Sequence, residues 1–139
     1  MAPLVILDTN ILVSSLISSQ PAAPTVQIVS KMLMGELVPV YCKEIMTEYR
    51  EVLNRKKFGF PKELVNRLLA IIEKYGLYCA AGPTDIPLPD EKDRHFYNVT
   101  VEKQEDGAYL ITGNLKHFPS APYIVSAKQF IEILEQKNL

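Results

Sequence analysis

The chain alternates short, continuously apolar runs with longer stretches in which apolar residues recur every three or four positions. A run such as Leu4–Leu7 is too short for a core helix and predicts a buried strand. The longer stretches predict amphipathic helices, and prolines and glycines separate the two kinds of segment. Strands and helices therefore alternate, which is typical of parallel strands joined by crossover helices.

The pattern predicts a complete set of elements from one end of the chain to the other. Pro39 would suit only an edge or an end position of its strand, and Ser126 is placed to cap the last helix. No repeat or linker interrupts the series, so we predict one three-layer α/β/α domain with a central parallel sheet over residues 1–139. The predicted strands are 4–8, 36–42, 77–81, 108–112 and 123–125, and the predicted helices are 10–19, 25–34, 43–57, 60–76, 93–103 and 127–137.

Composition and charge narrow the class of protein. A chain of 139 residues with 47% hydrophobic and 22% charged residues can bury a real core. The net charge of −1 argues against a protein that coats nucleic acid through a general positive field. It leaves open an enzyme that grips a polyanion through a local patch and a bound metal.

The chain shows no sign of export or of a membrane anchor. No apolar run approaches the roughly 18–20 residues of a membrane span, and the N-terminus lacks the basic segment of a signal peptide. Cys42 and Cys79 have no metal-type spacing and are predicted to be reduced core thiols. We therefore expect a cytoplasmic protein with no membrane association.

Polar residues follow two of the predicted strands at their carboxyl ends. Asp8, with Thr9 and Asn10 behind it, interrupts an apolar run, and Thr112 ends a later strand before Gly113 and Asn114. In an open parallel sheet, functional groups gather beyond the carboxyl ends of the strands. We therefore expect these two places to converge.

Three further acids accompany them on predicted helices. Glu48 falls on the margin of its helix's apolar stripe, whereas Glu44 and Glu51 lie further round and are expected to be solvated. Asp90 and Asp93 flank the start of another helix, where the dipole favours anions. Their spacing equally matches an N-cap and an N3 acid, so capping alone could explain both.

A pocket of carboxylates needs a cation. Carboxylates a few ångström apart raise one another's pKa unless a positive charge neutralises them. A ligand set rich in oxygen and free of sulfur favours Mg²⁺ or Mn²⁺, and such ions activate water for attack on phosphate. Asp8 would be the first ligand, with Thr9 and Asn10 orienting it or a bound water.

Four ordered motifs resemble the PIN domain, and more narrowly its branch of toxins from toxin–antitoxin modules. They are ILDTNILVS, EIMTEYREVL, PDEKDRHFYNV and YLITGNLKHFP, and together they cover essentially the whole chain. The resemblance implies a metal-dependent ribonuclease specific for single strands, built on a central parallel sheet. It also implies an RNA substrate, a cognate antitoxin as partner and, with the apolar helix pairs, a homodimer.

The resemblance also assigns roles to individual residues. The catalytic, metal-binding acids fall on Asp8, Glu48 and Asp93, and Asp90 is an accessory acid. A fourth acid of many members falls on Asn114, whose amide oxygen can bind a hard cation but adds no charge. Apart from the resemblance, Thr112 and Asn10 are candidates to support the cofactor because of their position at the predicted strand ends.

Two other functions remain open from the sequence. The chain could be a PIN-like scaffold that binds RNA or a protein without cleavage, with Asn114 as the sign of weakened catalysis. It could also be a phosphatase of the haloacid dehalogenase type with Asp8 as the nucleophile. That chemistry usually needs an acid two residues further on, and Asn10 stands there.

The remaining polar residues have ordinary structural interpretations. Asp8 could simply cap the following helix, and His95 and His117 are predicted to be surface or loop residues more readily than catalytic bases. Arg50 and the run Arg55–Lys57 favour a solvated face over a phosphate-gripping patch.

Overall fold

The structure is a computed structural model that describes residues 2–137, and one parallel sheet lies at its centre. Within those residues the sheet has five short strands in the order β3-β2-β1-β4-β5, and every neighbouring pair is parallel. The strands are β1 (Leu4–Leu7), β2 (Val38–Tyr41), β3 (Leu77–Tyr78), β4 (Tyr109–Ile111) and β5 (Ile124–Val125).

Helices cover both faces of this sheet, which confirms the predicted three-layer α/β/α architecture. Three short 3-10 turns, at Glu91–Asp93, Gln104–Asp106 and Leu115–His117, join the regular elements. The helices are α1 (Thr9–Ile17), α2 (Pro24–Leu33), α3 (Lys43–Leu53), α4 (Lys62–Tyr75), α5 (Arg94–Glu102) and α6 (Ala127–Lys137).

The order of the strands creates a switch point between β1 and β4. From β1 the chain builds β2 and β3 on one side, then crosses back to place β4 and β5 on the other. Such a reversal leaves a crevice beyond the carboxyl ends of the two central strands, where open α/β sheets bind their ligands. Asp8 follows β1 and Thr112 follows β4 at this crevice.

The central strand explains why the apolar run before Asp8 is continuous. Val5, Ile6 and Leu7 are at most 1% exposed because helices cover both faces of the sheet. The Leu7 carbonyl accepts a hydrogen bond from the hydroxyl of Tyr49 at 2.5 Å, so α3 is tied to the end of β1. This contact holds α3, the helix that carries Glu48, against the carboxyl end of the sheet.

The third helix is shorter than the pattern predicts. The sequence predicts a helix to about Lys57, but α3 ends at Leu53. The Asn54 amide donates to the Arg50 carbonyl at 2.8 Å and so takes the place of a further helical turn. In the turn that follows, Gly59 adopts a left-handed conformation with φ +65°, which glycine tolerates. The basic residues of this region therefore lie in turns.

Pro39 lies in an inner strand. Strand β2 lies between β3 and β1, so of the two positions predicted for this proline the end position applies and the edge position does not. The neighbouring Val38 N–H donates to Pro3 on the β1 side at 2.9 Å, which leaves the Pro39 nitrogen facing β3. The β2–β3 pairing begins only at Val40 and Leu77. The N–H that Pro39 lacks therefore falls at the end of the β2–β3 hydrogen-bond ladder, which is the end position that the sequence allows for a proline.

Other local predictions can be compared directly. Ser126 caps α6 as predicted: its hydroxyl accepts from the Gln129 N–H at 3.1 Å, and Gln129 accepts from the Ser126 N–H at 2.8 Å. Strand β3 is shorter than predicted, although the Cys79 N–H still donates to Tyr41 at 2.8 Å. Cys42 and Cys79 are buried free thiols. Among the described helices, none has the length and apolar character of a membrane span.

Candidate functional site at the carboxyl end of the sheet

Asp8 is buried where β1 passes into α1. Its N–H donates to the Ile111 carbonyl at 3.0 Å, and its carboxylate oxygen Oδ2 accepts from the Thr112 hydroxyl at 2.7 Å. Although Asp8 occupies the N-cap position of α1, its carboxylate makes no capping hydrogen bond. The capping interpretation therefore does not explain this acid.

Burial sets the electrostatics of Asp8. Loss of water contact raises the pKa of this carboxyl, the hydrogen bond from Thr112 lowers it in part, and the negative charge of Asp93 raises it again. An acid held this way binds a proton, or another positive charge, more readily than an exposed aspartate.

The turn after β4 is organised around Thr112. The fully buried Thr112 hydroxyl donates to Asp8 and accepts from the Asn114 N–H at 2.9 Å. The Gly113 N–H donates to the Asn10 side-chain oxygen at 3.2 Å, so this amide holds the turn. Thr112 and Asn10 thus lie at the predicted site, and Asn114 takes part through its backbone N–H.

Glu48 lies on α3 at the same carboxyl end of the sheet. Ile45 and Tyr49 on its helix are buried and Glu44 and Glu51 are exposed, as the predicted stripe requires. The carboxylate accepts a hydrogen bond from the hydroxyl of Thr9, whereas the sequence predicts that Thr9 orients Asp8. Burial raises the pKa of Glu48, the Thr9 contact lowers it, and the charge of Asp8 raises it further.

The two acids before α5 behave differently from one another. Asp90 is exposed and its carboxylate accepts from the Lys92 N–H at 3.0 Å, so it caps the turn. Asp93 occupies the N-cap position of α5 without a capping hydrogen bond, and its oxygen Oδ2 lies 3.1 Å from the Nδ1 of His117. The sequence allows capping to explain both acids; in the structure capping accounts for Asp90 but not for Asp93.

The three principal acids lie within electrostatic range of one another. Burial raises the pKa of Asp93, the hydrogen bond with His117 lowers it, and the charges of Asp90 and Glu48 raise it. Asp8 is likewise affected by Asp93, and Glu48 by Asp8. The fold therefore brings together carboxylates from β1, α3 and the start of α5.

The chemistry of these donors fits a hard divalent cation. All three are carboxylates, and their charges disfavour one another in a half-buried pocket. Within residues 2–137, however, no three Asp, Glu, His or Cys side chains stand close enough to form a ready-made metal cage. Each carboxylate contacts a different side chain: Asp8 contacts Thr112, Glu48 contacts Thr9, and Asp93 contacts His117.

A cleft of about 520 Å³ opens beside Glu48, between α3 and the start of α5. The sequence did not reveal this cleft, because its two walls are about forty positions apart in the chain. Four nitrogen-bearing side chains lie along it among acidic ones, and Glu48 lies in its wall. Those side chains are Lys43, Arg55, Lys92 and His95.

Sequence reasoning missed the contacts of Thr9, Tyr49 and His117 with the site. Thr9 contacts Glu48, Tyr49 anchors α3 to β1, and His117 contacts Asp93. Position beside a candidate acid was the only signal for the first two. Nothing in the spacing of His117 pointed to Asp93, which lies 24 residues earlier.

A parallel three-layer fold with a buried acid at its switch point defines an α/β protein whose ligand site lies beyond the carboxyl ends of its strands. Comparison with known families matches the PIN domain over residues 4–116, which is most of the chain. The chain belongs to the PIN domain family. Members of this family are typically metal-dependent nucleases that act on RNA. Searches of curated proteins and of solved structures found no match.

Proposed function

We propose that this chain is a Mg²⁺- or Mn²⁺-dependent endoribonuclease that serves as the toxin of a toxin–antitoxin module. The observation that carries the proposal is the electrostatic convergence of Asp8, Glu48 and Asp93 at the switch point of a PIN domain. Three mutually repelling carboxylates cost stability unless a cation offsets their charge. A function that uses a cation accounts for that cost.

The three acids share one part in the proposed reaction. Asp8, Glu48 and Asp93 would hold the ion, and the hydrogen bond from Thr112 orients the Asp8 carboxylate. When bound, the ion lowers the pKa of a water and stabilises the charge that develops on the phosphate. Asn114 adds no charge to the pocket, so the proposal is based on one ion.

The cleft beside Glu48 supports a phosphodiester substrate. Lys43, Arg55 and Lys92 can contact phosphates on either side of the bond to be cut, although the chain as a whole carries a net charge of −1. Arg55 is already held by Glu51 at 3.3 Å, so Lys43 and Lys92 are the stronger candidates. Of the basic residues for which the sequence leaves a phosphate-gripping patch open, only Arg55 lines this cleft.

The toxin assignment draws on the resemblance of all four motifs to that branch of the family. A toxin requires a partner that covers its site, and we propose a cytoplasmic antitoxin encoded beside it. We further propose that the chain forms a homodimer. Co-expression with the product of the neighbouring reading frame should restore growth that the chain alone arrests, and light scattering should give twice the chain mass. Unimpaired growth during expression of active enzyme would contradict the toxin role.

The decisive experiment is cleavage of several structured RNAs by the purified chain in Mn²⁺. We expect cuts in single-stranded regions that stop when a chelator is added and in the Asp8→Asn variant. Asp106→Asn is the matched control, because Asp106 is an exposed aspartate just before β4. It therefore lies at the amino-terminal end of the strands, opposite to the end that carries Asp8. Equal cleavage by wild type and Asp8→Asn would mean a contaminating nuclease and would remove the support for this function.

A binding function without cleavage is the second candidate. It is favoured by Asn114 and by the engagement of each acid with a protein partner instead of with the others. A scaffold of this kind should bind RNA equally with and without chelator and leave the strand intact. Electrophoretic mobility shifts measured in both conditions separate the two candidates.

A further inference from the structure

His117 lies against Asp93 in the segment that follows β4. We infer that His117 is a positioning residue that holds the Asp93 carboxylate in its orientation at the acidic pocket. The consequence for catalysis rests on the proposed function, whereas the contact itself can be tested without it. The family match ends at Lys116, one residue before His117.

The first step is that Asp93 needs an external partner. Its neighbour Asp90 is fixed by its own turn through the Lys92 N–H. Asp93 has no such bond to the helix it precedes. Its side chain is only 16% exposed, so its contact with water is limited. The contact with His117 at 3.1 Å supplies the missing constraint.

The second step is that His117 is itself held in place. Its N–H donates to the Asn114 carbonyl at 2.9 Å, which closes the 3-10 turn Leu115–His117. Phe118, which follows, is 6% exposed and its N–H donates to Leu115 at 3.1 Å. The backbone of His117 is therefore fixed between a closed turn and a buried aromatic residue, which limits the positions that its imidazole can reach.

The third step is that one short segment contacts two of the acids. Thr112 at its start donates to Asp8, and His117 at its end contacts Asp93. The segment 112–117 therefore links an acid that follows β1 to an acid that precedes α5. Both acids therefore have a hydrogen-bond partner in the same short segment.

The hydrogen bond also defines the state of the imidazole. An ionised carboxylate can only accept, so Nδ1 must carry a proton when the bond forms. The bond uses Oδ2 of Asp93 and leaves Oδ1 for another ligand. Partners of this kind orient metal-binding side chains, and their loss typically reduces metal affinity by roughly 10- to 100-fold.

Three substitutions at position 117 separate positioning from packing. Asn places its amide nitrogen near the position of Nδ1, Gln places it further out, and Leu fills space without a donor. For His117→Leu and His117→Gln we expect Mn²⁺ affinity, measured by calorimetry, to fall by about tenfold, whereas His117→Asn should stay near wild type. Melting temperatures confirm that each variant folds. Equal affinity in all four proteins, or equal losses in Asn and Leu, would overturn the inference.

A readout that needs no metal accompanies the calorimetry. Nitrogen-15 NMR of the histidine rings should show the Nδ1–H tautomer for His117 in wild type, and its loss in Asp93→Ala, which has no side-chain acceptor. His117→Leu should change Mn²⁺ affinity no further in the Asp93→Ala background, because His117 acts only through the Asp93 side chain. Were the signature present without Mn²⁺ binding, the nuclease proposal would fail and the contact would stand. Were cleavage normal without the signature, the inference alone would fail.

Discussion

Two acidic regions of this molecule look alike in sequence and differ in structure. The strand-end region contains Asp8, which precedes α1, and the turn region contains Asp90, which precedes the turn leading to α5. Both are aspartates at the start of a helical segment, where Asp commonly caps. Asp8 is 6% exposed and accepts from a threonine that follows another strand, whereas Asp90 is exposed and accepts from a backbone N–H two residues away.

The difference shows what separates a candidate ligand from a structural cap. A cap satisfies a backbone donor and leaves its charge in water, where it costs little. A buried carboxylate with side-chain partners retains a charge that the protein interior disfavours. Only the second arrangement gives a cation something to stabilise, so the two regions should respond in opposite ways to substitution.

The largest expected difference is in cleavage. Asp8→Asn should reduce the rate of RNA cleavage in Mn²⁺ by at least about 100-fold, since it removes a ligand charge from the proposed ion. Asp90→Asn should change the rate by no more than about threefold, because Asn also caps well. Single-turnover assays on one RNA measure both variants. A loss of similar size in Asp90→Asn would place this acid in the pocket and abolish the distinction.

The next effect concerns the hydroxyl that holds Asp8. Thr112→Val removes the 2.7 Å hydrogen bond with little change of volume, and Mn²⁺ affinity should fall by about tenfold. Thr112→Ser keeps the hydroxyl and should retain most of the affinity. Calorimetric titrations of the three proteins test this. Equal losses in Val and Ser would mean that packing at the strand end, and not the hydrogen bond, orients Asp8.

The sequence predicted the architecture well because the relevant signals are local. Short apolar runs, amphipathic stripes and the proline and glycine positions predicted the order of elements and the parallel sheet. The rule that groups gather at the carboxyl ends of strands then predicted that Asp8 and Thr112 would converge, and they are hydrogen bonded. Helix ends were less accurate, since the side chain of Asn54 ends α3 early.

The partners of the acids could not be predicted, because they depend on tertiary contacts between distant residues. Thr9 and Glu48 are 39 residues apart, and Asp8 and Thr112 are 104 apart. No spacing rule distinguishes Asp90 from Asp93 either, although one caps and the other contacts His117. That Asp8, Glu48 and Asp93 bind a cation remains a prediction.

A smaller effect is expected in the pH dependence of stability without metal. The pKa of Asp8 is raised above its ordinary value of 3.8, mainly by burial. The folded state therefore binds more protons than the unfolded chain above that pH. The contribution of the protonated Asp8 carboxyl to the free energy of unfolding is present at lower pH. It is lost as the pH rises through the pKa that Asp8 has in the folded state. Asp8→Asn cannot lose a proton and should escape this decline.

Urea unfolding in chelator, from about pH 4 to pH 7, measures that difference. The Asp8→Asn variant should gain stability relative to wild type as the pH rises, while Asp106→Asn should follow wild type. Saturating Mn²⁺ at pH 7 should raise the melting temperature of wild type but not of Asp8→Asn. Parallel pH curves for wild type and Asp8→Asn would show that the strand-end charge imposes no cost.

The smallest expected effect is the loss of the cap in the turn region. Asp90→Ala removes the acceptor for the Lys92 N–H and should lower the free energy of unfolding by about 0.5–1 kcal/mol. Asp90→Asn should restore most of it, because an amide oxygen accepts the same bond. Asp93→Ala should show no such cap loss, since Asp93 makes no capping bond, and relief of its repulsion with Glu48 should offset part of the lost contact with His117. If Asp90→Ala leaves stability unchanged, the exposed acid is not acting as a cap, and the contrast with Asp8 rests on burial alone.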